Sequence, residues 1–243
     1  MNSTLFSLQS ELEDIIPPSD KVVKKRHRQP GYRTSDLIMN KQDILANIHY
    51  IQYGHLSIPL VQKVEAFELP RVAMPFSKAM AGHNKNVLVV FYEPDSNFAR
   101  ILHAPKRYIE TLRKFKGIVG PDFSQKIGMN PFLCFENSWW NKALTAYYQS
   151  LGIPMIPNVT WSVPASYEYS FLGMPAQSVI AINCTGIKHC QASMYLWRKG
   201  YEEALRILNP TLIIRYGDMM PGEDESRSVY FENTNLKNLR HGS

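Results

Sequence analysis

Five short apolar runs, in VLVVFYEPD, GIVGPDFS, IPMIPNVTW, SVIAINCTG and TLIIRYGD, recur at spacings of about 25 to 36 residues through the last two-thirds of the chain. Four of them stop at a small cluster of polar or aromatic residues. Apolar runs without alternation are what strands buried on both faces require, and the intervals between them are long enough for a helix. Parallel strands joined by helical crossovers put their C-terminal ends along one edge. The pattern predicts an α/β fold, mainly a parallel sheet of βα units, with the polar tips gathered at that edge.

The tips follow nearly every strand instead of concentrating at one switch point, which favours a (β/α) barrel-like arrangement over an open doubly wound sheet. Five strands fall short of the eight in a closed barrel, so a partial or irregular barrel is expected. Composition divides the chain into a basic N-terminal extension, residues 1–34, and a single α/β domain, residues 35–243. Within the domain, SDLIMNKQDILANIHYIQYG reads as a loop and helix stopped by Gly54, and the region that follows either caps the sheet or carries an extra strand near Val61 to Phe67. Ser138 is the expected N-cap of a helix stopped by Gly152, with Glu136 and Asn137 before it, and a longer helix covers ASMYLWRKGYEEALRILN. TLIIRY reads as the last strand, followed from Met219 by a polar tail.

A chain of 243 residues with 44% hydrophobic content buries one good core. It has no run of the roughly 18 apolar residues that span a bilayer, and its first twenty residues carry acids where a secretion signal has a basic end and an apolar centre. A cytoplasmic location and no membrane partner are expected; the oligomeric state stays open. Three cysteines, an odd number, point to reduced thiols. Cys184, His189 and Cys190, with Cys134, lack the short paired spacing of structural zinc ligands, so no metal site is assigned. Neither GxGxxG nor GxxxxGK[ST] occurs, and no cofactor is evident.

The strand ends offer Glu93 and Asp95, Asp122 and Ser124, Asn158 and Trp161, Asn183 and Thr185, and Tyr216 and Asp218. Carboxylates beside amides and aromatic rings suit a sugar, nucleobase or nucleoside, one carboxylate serving as acid, base or stabiliser of a cationic transition state. Asp122 and Asp218 are the candidate catalytic carboxylates. Ser124, Asn158, Trp161, Asn183, Thr185, Tyr216 and Trp140 are the candidate substrate contacts, the tryptophans as stacking surfaces. Asp122 follows Gly120 and Pro121, which turn the chain and point the carboxylate inward. The competing reading makes Asp122 and Ser124 partners in a local turn, and Asp218 another turn residue after Gly217. A Mg²⁺ ion held by the two carboxylates is the one cofactor for which the residues leave room.

The net charge of +6 is concentrated near the start, where Lys21, Lys24, Lys25, Arg26, Arg28 and Arg33 fall within thirteen residues. Lys24, Lys25, Arg26 and Arg28 are candidate phosphate contacts of a nucleic acid, a solvated tail being the alternative. The succession GIVGPDFS, NSWWNKALTAYYQSLGIPMIPNVTW, SVIAINCTG, LNPTLIIRYGD and VYFENTNLKNLRHG resembles a family of bacterial, phage and plasmid proteins catalogued only as a domain of unknown function. The resemblance covers roughly the last 160 residues. It implies a mobile-element or phage-type protein with one α/β domain, and brings no catalytic residue with it. Three functions are weighed: an enzyme acting on a nucleotide, nucleobase or nucleic acid at the strand ends, a non-catalytic binder of nucleic acid or a host protein through the basic arm, and a structural or assembly component.

Overall fold

The computed structural model describes residues 34–233; Lys24, Lys25, Arg26 and Arg28 lie outside the described residues. Seven strands run parallel in chain order. The first four are β3 (Ala73–Pro75), β4 (Leu88–Val90), β5 (Gly117–Val119) and β6 (Met155–Ile156). The last three are β7 (Val179–Asn183), β8 (Leu212–Tyr216) and β9 (Ser228–Phe231). A parallel bridge between Asn158 and Ala181 joins the two groups, with Val159 N–H donating to Ala181 O at 2.9 Å and Ala181 N–H to Pro157 O at 2.8 Å. A separate antiparallel hairpin, β1 (Tyr50–Tyr53) and β2 (Leu56–Pro59), precedes them.

Side-chain alternation splits the core in two. Leu88, Val90, Val119, Ile156, Val179, Ala181, Ile214 and Phe231 share one cluster, drawn from six strands, while Val89 and Ile118 face one helix-covered cluster and Ile180 and Ile213 another. Tyr92, just past β4, and Tyr216 on β8 meet with ring centroids 5.1 Å apart. They lie four strands apart, so the sheet curls until its inner face closes on itself. The result is the expected partial barrel, and among the described residues no pairing joins β3 to β9. Val64, Phe67 and Leu69 pack on the inner cluster, and Val64 O accepts the amide of Val179 at 2.9 Å. Each fully buried aliphatic or Phe side chain there contributes about 1.5–3 kcal/mol.

The outer layer comprises α1 (Thr34–Ala46), α2 (Phe76–Ala81), α3 (Asp95–Phe98), α4 (Arg100–His103), α5 (Ile109–Leu112), α6 (Pro131–Ser150), α7 (Tyr167–Phe171) and α8 (Gln191–Leu208). Several expectations need correction. Gly54, at φ +57°, turns the β1–β2 hairpin and does not stop a helix. Residues 61–67 form no strand: the amides of Val61, Gln62 and Val64 go to Gly173 O, Gln149 Oε1 and Ser178 Oγ, not to a ladder. The helix expected from Ser138 begins at Pro131, with Asn130 capping through its side chain to Phe132 N–H. Ser138 sits inside it, buried, accepting from Lys142 Nζ at 2.8 Å. The stretch beyond Met219 is not merely a polar tail, for it supplies β9.

Candidate functional site

The end of β5 is shaped by Gly120. A Cβ there would lie 2.4 Å from Thr145 Oγ1 on α6, so only glycine lets the strand leave this close to the helix. Pro121 follows, and Asp122 emerges beneath the ends of β6 and β7. Asn158 Nδ2 donates to Asp122 Oδ1 at 3.1 Å and to Pro121 O at 3.0 Å, and Asn183 Nδ2 donates to Asp122 Oδ2 at 3.2 Å. Both amides are locked from behind. Tyr92 O–H donates to Asn158 Oδ1 at 2.9 Å, and Thr185 N–H donates to Asn183 Oδ1 at 2.9 Å. With each amide oxygen engaged, each NH₂ must face the carboxylate. A chain of five residues from four strand ends therefore converges on one carboxyl group.

Burial is the main influence on that group and raises its pKa; the amides of Asn158 and Asn183 oppose it, and the charge of Asp95 adds to it. The outcome is a carboxyl pushed up to about 6. Tyr92 is moved well above its ordinary range by burial and by the Asp122 charge, so it remains a neutral donor. Asp95 accepts from Ser124 N–H at 3.2 Å and from Ser124 Oγ at 2.9 Å, and Asn137 Nδ2 donates to Ser124 O at 2.7 Å. Ser124 thus partners Asp95 and not Asp122. These bonds fix the loop that follows Asp122.

Asp122 opens onto a cavity of about 430 Å³ whose walls include Ser124, Trp161, Asn183, Thr185 and Trp197. Trp161 lies flat against Gly200 of α8, where a Cβ would come within 2.1 Å of its indole Nε1. Gln125, also in the wall, donates through Nε2 to Thr160 Oγ1. Of the residues expected from sequence, Asp122, Ser124, Trp161, Asn183 and Thr185 line this cavity, and Asn158 holds its carboxylate.

The others lie elsewhere. Tyr216 is buried beside Tyr92 with its hydroxyl on Asn233 Oδ1 at 3.3 Å, and burial pushes it up to about 12. Trp140 meets Trp139 edge-on, carries Lys41 Nζ of α1 over its ring at 5.0 Å and packs against the helix-covered core, not in the cavity wall. Asp218 is not in the cavity wall, and no hydrogen bond or ion pair joins it to Asp122. Among the described residues no group of three His, Cys, Asp or Glu is placed to hold a metal ion. Sequence reasoning missed Tyr92, Gln125, Trp197 and Gly200. It also missed the buried pair of Arg215 and Glu223, 3.3 Å apart, which accepts the Tyr230 hydroxyl and lies against Trp197 and Tyr201.

Among the described residues no helix is long and apolar enough to cross a membrane. No solved structure matches the chain. Two phage proteins do, each called Gene 1 protein. The one from Mycobacterium phage L5 is 28% identical over 151 residues, 62% of this chain and 66% of the relative. The one from Mycobacterium phage D29 is 28% identical over 134 residues, 55% of this chain and 50% of the relative. The chain thus spans between half and about two-thirds of the curated relatives it matches. A family match runs from residue 50 to residue 233 and takes in all seven parallel strands and every member of the Asp122 cluster; the chain belongs to the family described as a domain of unknown function, DUF4417.

Proposed function

We propose that this protein is an enzyme that takes a nucleobase-bearing molecule into the strand-end cavity and uses Asp122 as its acid–base group. One observation carries the reading: a carboxyl group poised near neutrality, clasped by two amides, in the wall of a cavity of about 430 Å³ that also presents a tryptophan. That volume falls in the range of about 300–1,000 Å³ usual for small-molecule sites, and the Trp161 ring supplies a surface on which a planar heterocycle stacks.

The chemistry follows from the pKa. Near pH 6 Asp122 exists in both forms, so it can give a proton to a leaving base, stabilise as a carboxylate the positive charge on the sugar, and take back the proton of the water that then bonds to the anomeric carbon. The amides of Asn158 and Asn183 solvate the carboxylate once the ligand has displaced water. Cleavage of a glycosidic bond, or proton transfer on the base itself, suits this set. Nothing pairs Asp122 with Asp218, so a single carboxylate is preferred to a Mg²⁺ ion shared between two.

The test is a panel of free bases, nucleosides and mononucleotides, followed by tryptophan fluorescence for binding and by chromatography for products. At least one member should bind and turn over, and Asp122→Asn should lower turnover by about 10²–10⁴-fold with binding retained. Undiminished turnover in the variant, or no binding by any member, refutes the reading. A non-catalytic binder working through the arm would instead lose function with Lys24, Lys25, Arg26 and Arg28 and be indifferent to Asp122→Asn.

A further inference from the structure

The described body, residues 34–233, carries nineteen Lys and Arg against seventeen Asp and Glu. That slight excess is distributed unevenly. Residues 100–116, the crossover from β4 to β5, hold six Lys and Arg and a single acid, Glu110. Ile101, Tyr108, Leu112 and Phe115 are buried in the helix-covered core, whereas Lys106, Arg107, Arg113, Lys114 and Lys116 are exposed. Arg100 stacks over Phe76 and Tyr108, Arg113 pairs with Glu110 at 2.8 Å, and Lys106 reaches Asp43 at 3.1 Å. Arg107, Lys114 and Lys116 are exposed, and among the described residues no acid pairs with them.

We infer that this face, centred on Arg107, Lys114 and Lys116, binds the phosphate backbone of a nucleic acid. Exposed, unpaired cations gathered within one short crossover, with counterions to release, are what sequence-independent phosphate binding requires. A lipid surface is the poorer fit: among the described residues, none of the exposed large apolar side chains falls between residues 98 and 117, so nothing there enters a bilayer. The inference is independent of Asp122 and of the N-terminal arm, since it rests on the body of the protein.

The experiment measures binding of the full 243-residue chain to single-stranded DNA, double-stranded DNA and RNA across a salt series. The variants are Arg107→Gln/Lys114→Gln/Lys116→Gln, a control of equal charge loss, Lys63→Gln/Arg198→Gln/Lys199→Gln, and a third with Lys24, Lys25, Arg26 and Arg28 changed to Gln. Circular dichroism checks that each is folded. The face variant should weaken binding at least tenfold at about 0.1 M salt and lower the slope of log K against log salt by about 2–3 on duplex DNA, the control leaving both unchanged. Four results overturn the inference: no binding by the parent, an unaltered face variant, equal losses in face variant and control, or a face variant that loses anionic vesicles but not nucleic acid.

Discussion

Asp122→Asn has a stability signature that does not depend on knowing the substrate. Its carboxyl is raised in the folded protein from an ordinary 3.8 to about 6, chiefly by burial. The folded state therefore holds a proton that the unfolded chain releases. The stability this confers is fully present below about pH 3.8 and is lost as pH rises through 6. The shift corresponds to at most ~3 kcal/mol, of which about 2 kcal/mol is spread between pH 4 and pH 7; the cavity side of the group keeps the true figure at or below this. Asparagine does not titrate. It also brings one carbonyl where two amide donors need acceptors, a pH-independent cost of about 1–3 kcal/mol. Urea unfolding of parent and variant at intervals from pH 4 to pH 7 isolates the Asp122 contribution, because all other titrations are shared. The parent should lose about 2 kcal/mol relative to the variant across that range. A flat difference, or a parent that gains on the variant with rising pH, refutes the claim that Asp122 is held by burial near neutrality.

Gly200→Ala drives a methyl group into the indole of Trp161; it should cost about 1–3 kcal/mol in urea unfolding and shift the tryptophan emission of the cavity wall. Gly120→Ala, whose new Cβ meets Thr145 Oγ1, should destabilise by a similar amount, and adding Thr145→Ala should recover part of the loss in a double-mutant cycle. Glu223→Gln strips the charge partner from the buried Arg215 and should cost about 3–5 kcal/mol in the same assay, whereas Glu202→Gln, in an exposed pair, should change stability by under about 1 kcal/mol.

The strands that sequence reveals are those whose burial on both faces forbids polar residues, and Asp122, Asn158 and Asn183 are legible because they stand where such runs end. β3 and β9 escape notice for the opposite reason. Three residues ending in proline, and a strand after a polar loop with Ser228 and Val229 only partly covered, carry too little apolar signal. Tyr92 hides inside an apolar run: its ring belongs to the inner core, and only its hydroxyl reaches the site. Arg215 reads as a polar interruption of a strand until the fold brings Glu223 back beneath α8. The contact of Trp161 with Gly200 joins two elements that no local pattern relates. The net charge of the sequence is densest in the first thirty-odd residues, while the basic residues of 100–116 are interleaved with the buried Ile101, Tyr108, Leu112 and Phe115 and form no continuous charge run.

The two charged regions constrain each other. Glu93, Asp95 and Asp122 stand at the strand ends, and the charge of Asp95 is felt by Asp122 while that of Glu93 is felt by Tyr216. A phosphate brought to that edge meets carboxylates, with repulsion strengthened by the low dielectric that already raises Asp122. The unpaired cations lie on the outer face of the β4–β5 crossover, whose chain leaves the strand ends beside Asp95 and returns at Gly117 to the opposite end of the sheet. If the flank holds a polynucleotide, the backbone is kept outside and only an extruded base, neutral and planar, has reason to enter beside Trp161. On the function proposed above, neutralising Arg107, Lys114 and Lys116 should weaken capture of a polymer and leave a free nucleoside unaffected, while Asp122→Asn should lower turnover of both by about 10²–10⁴-fold.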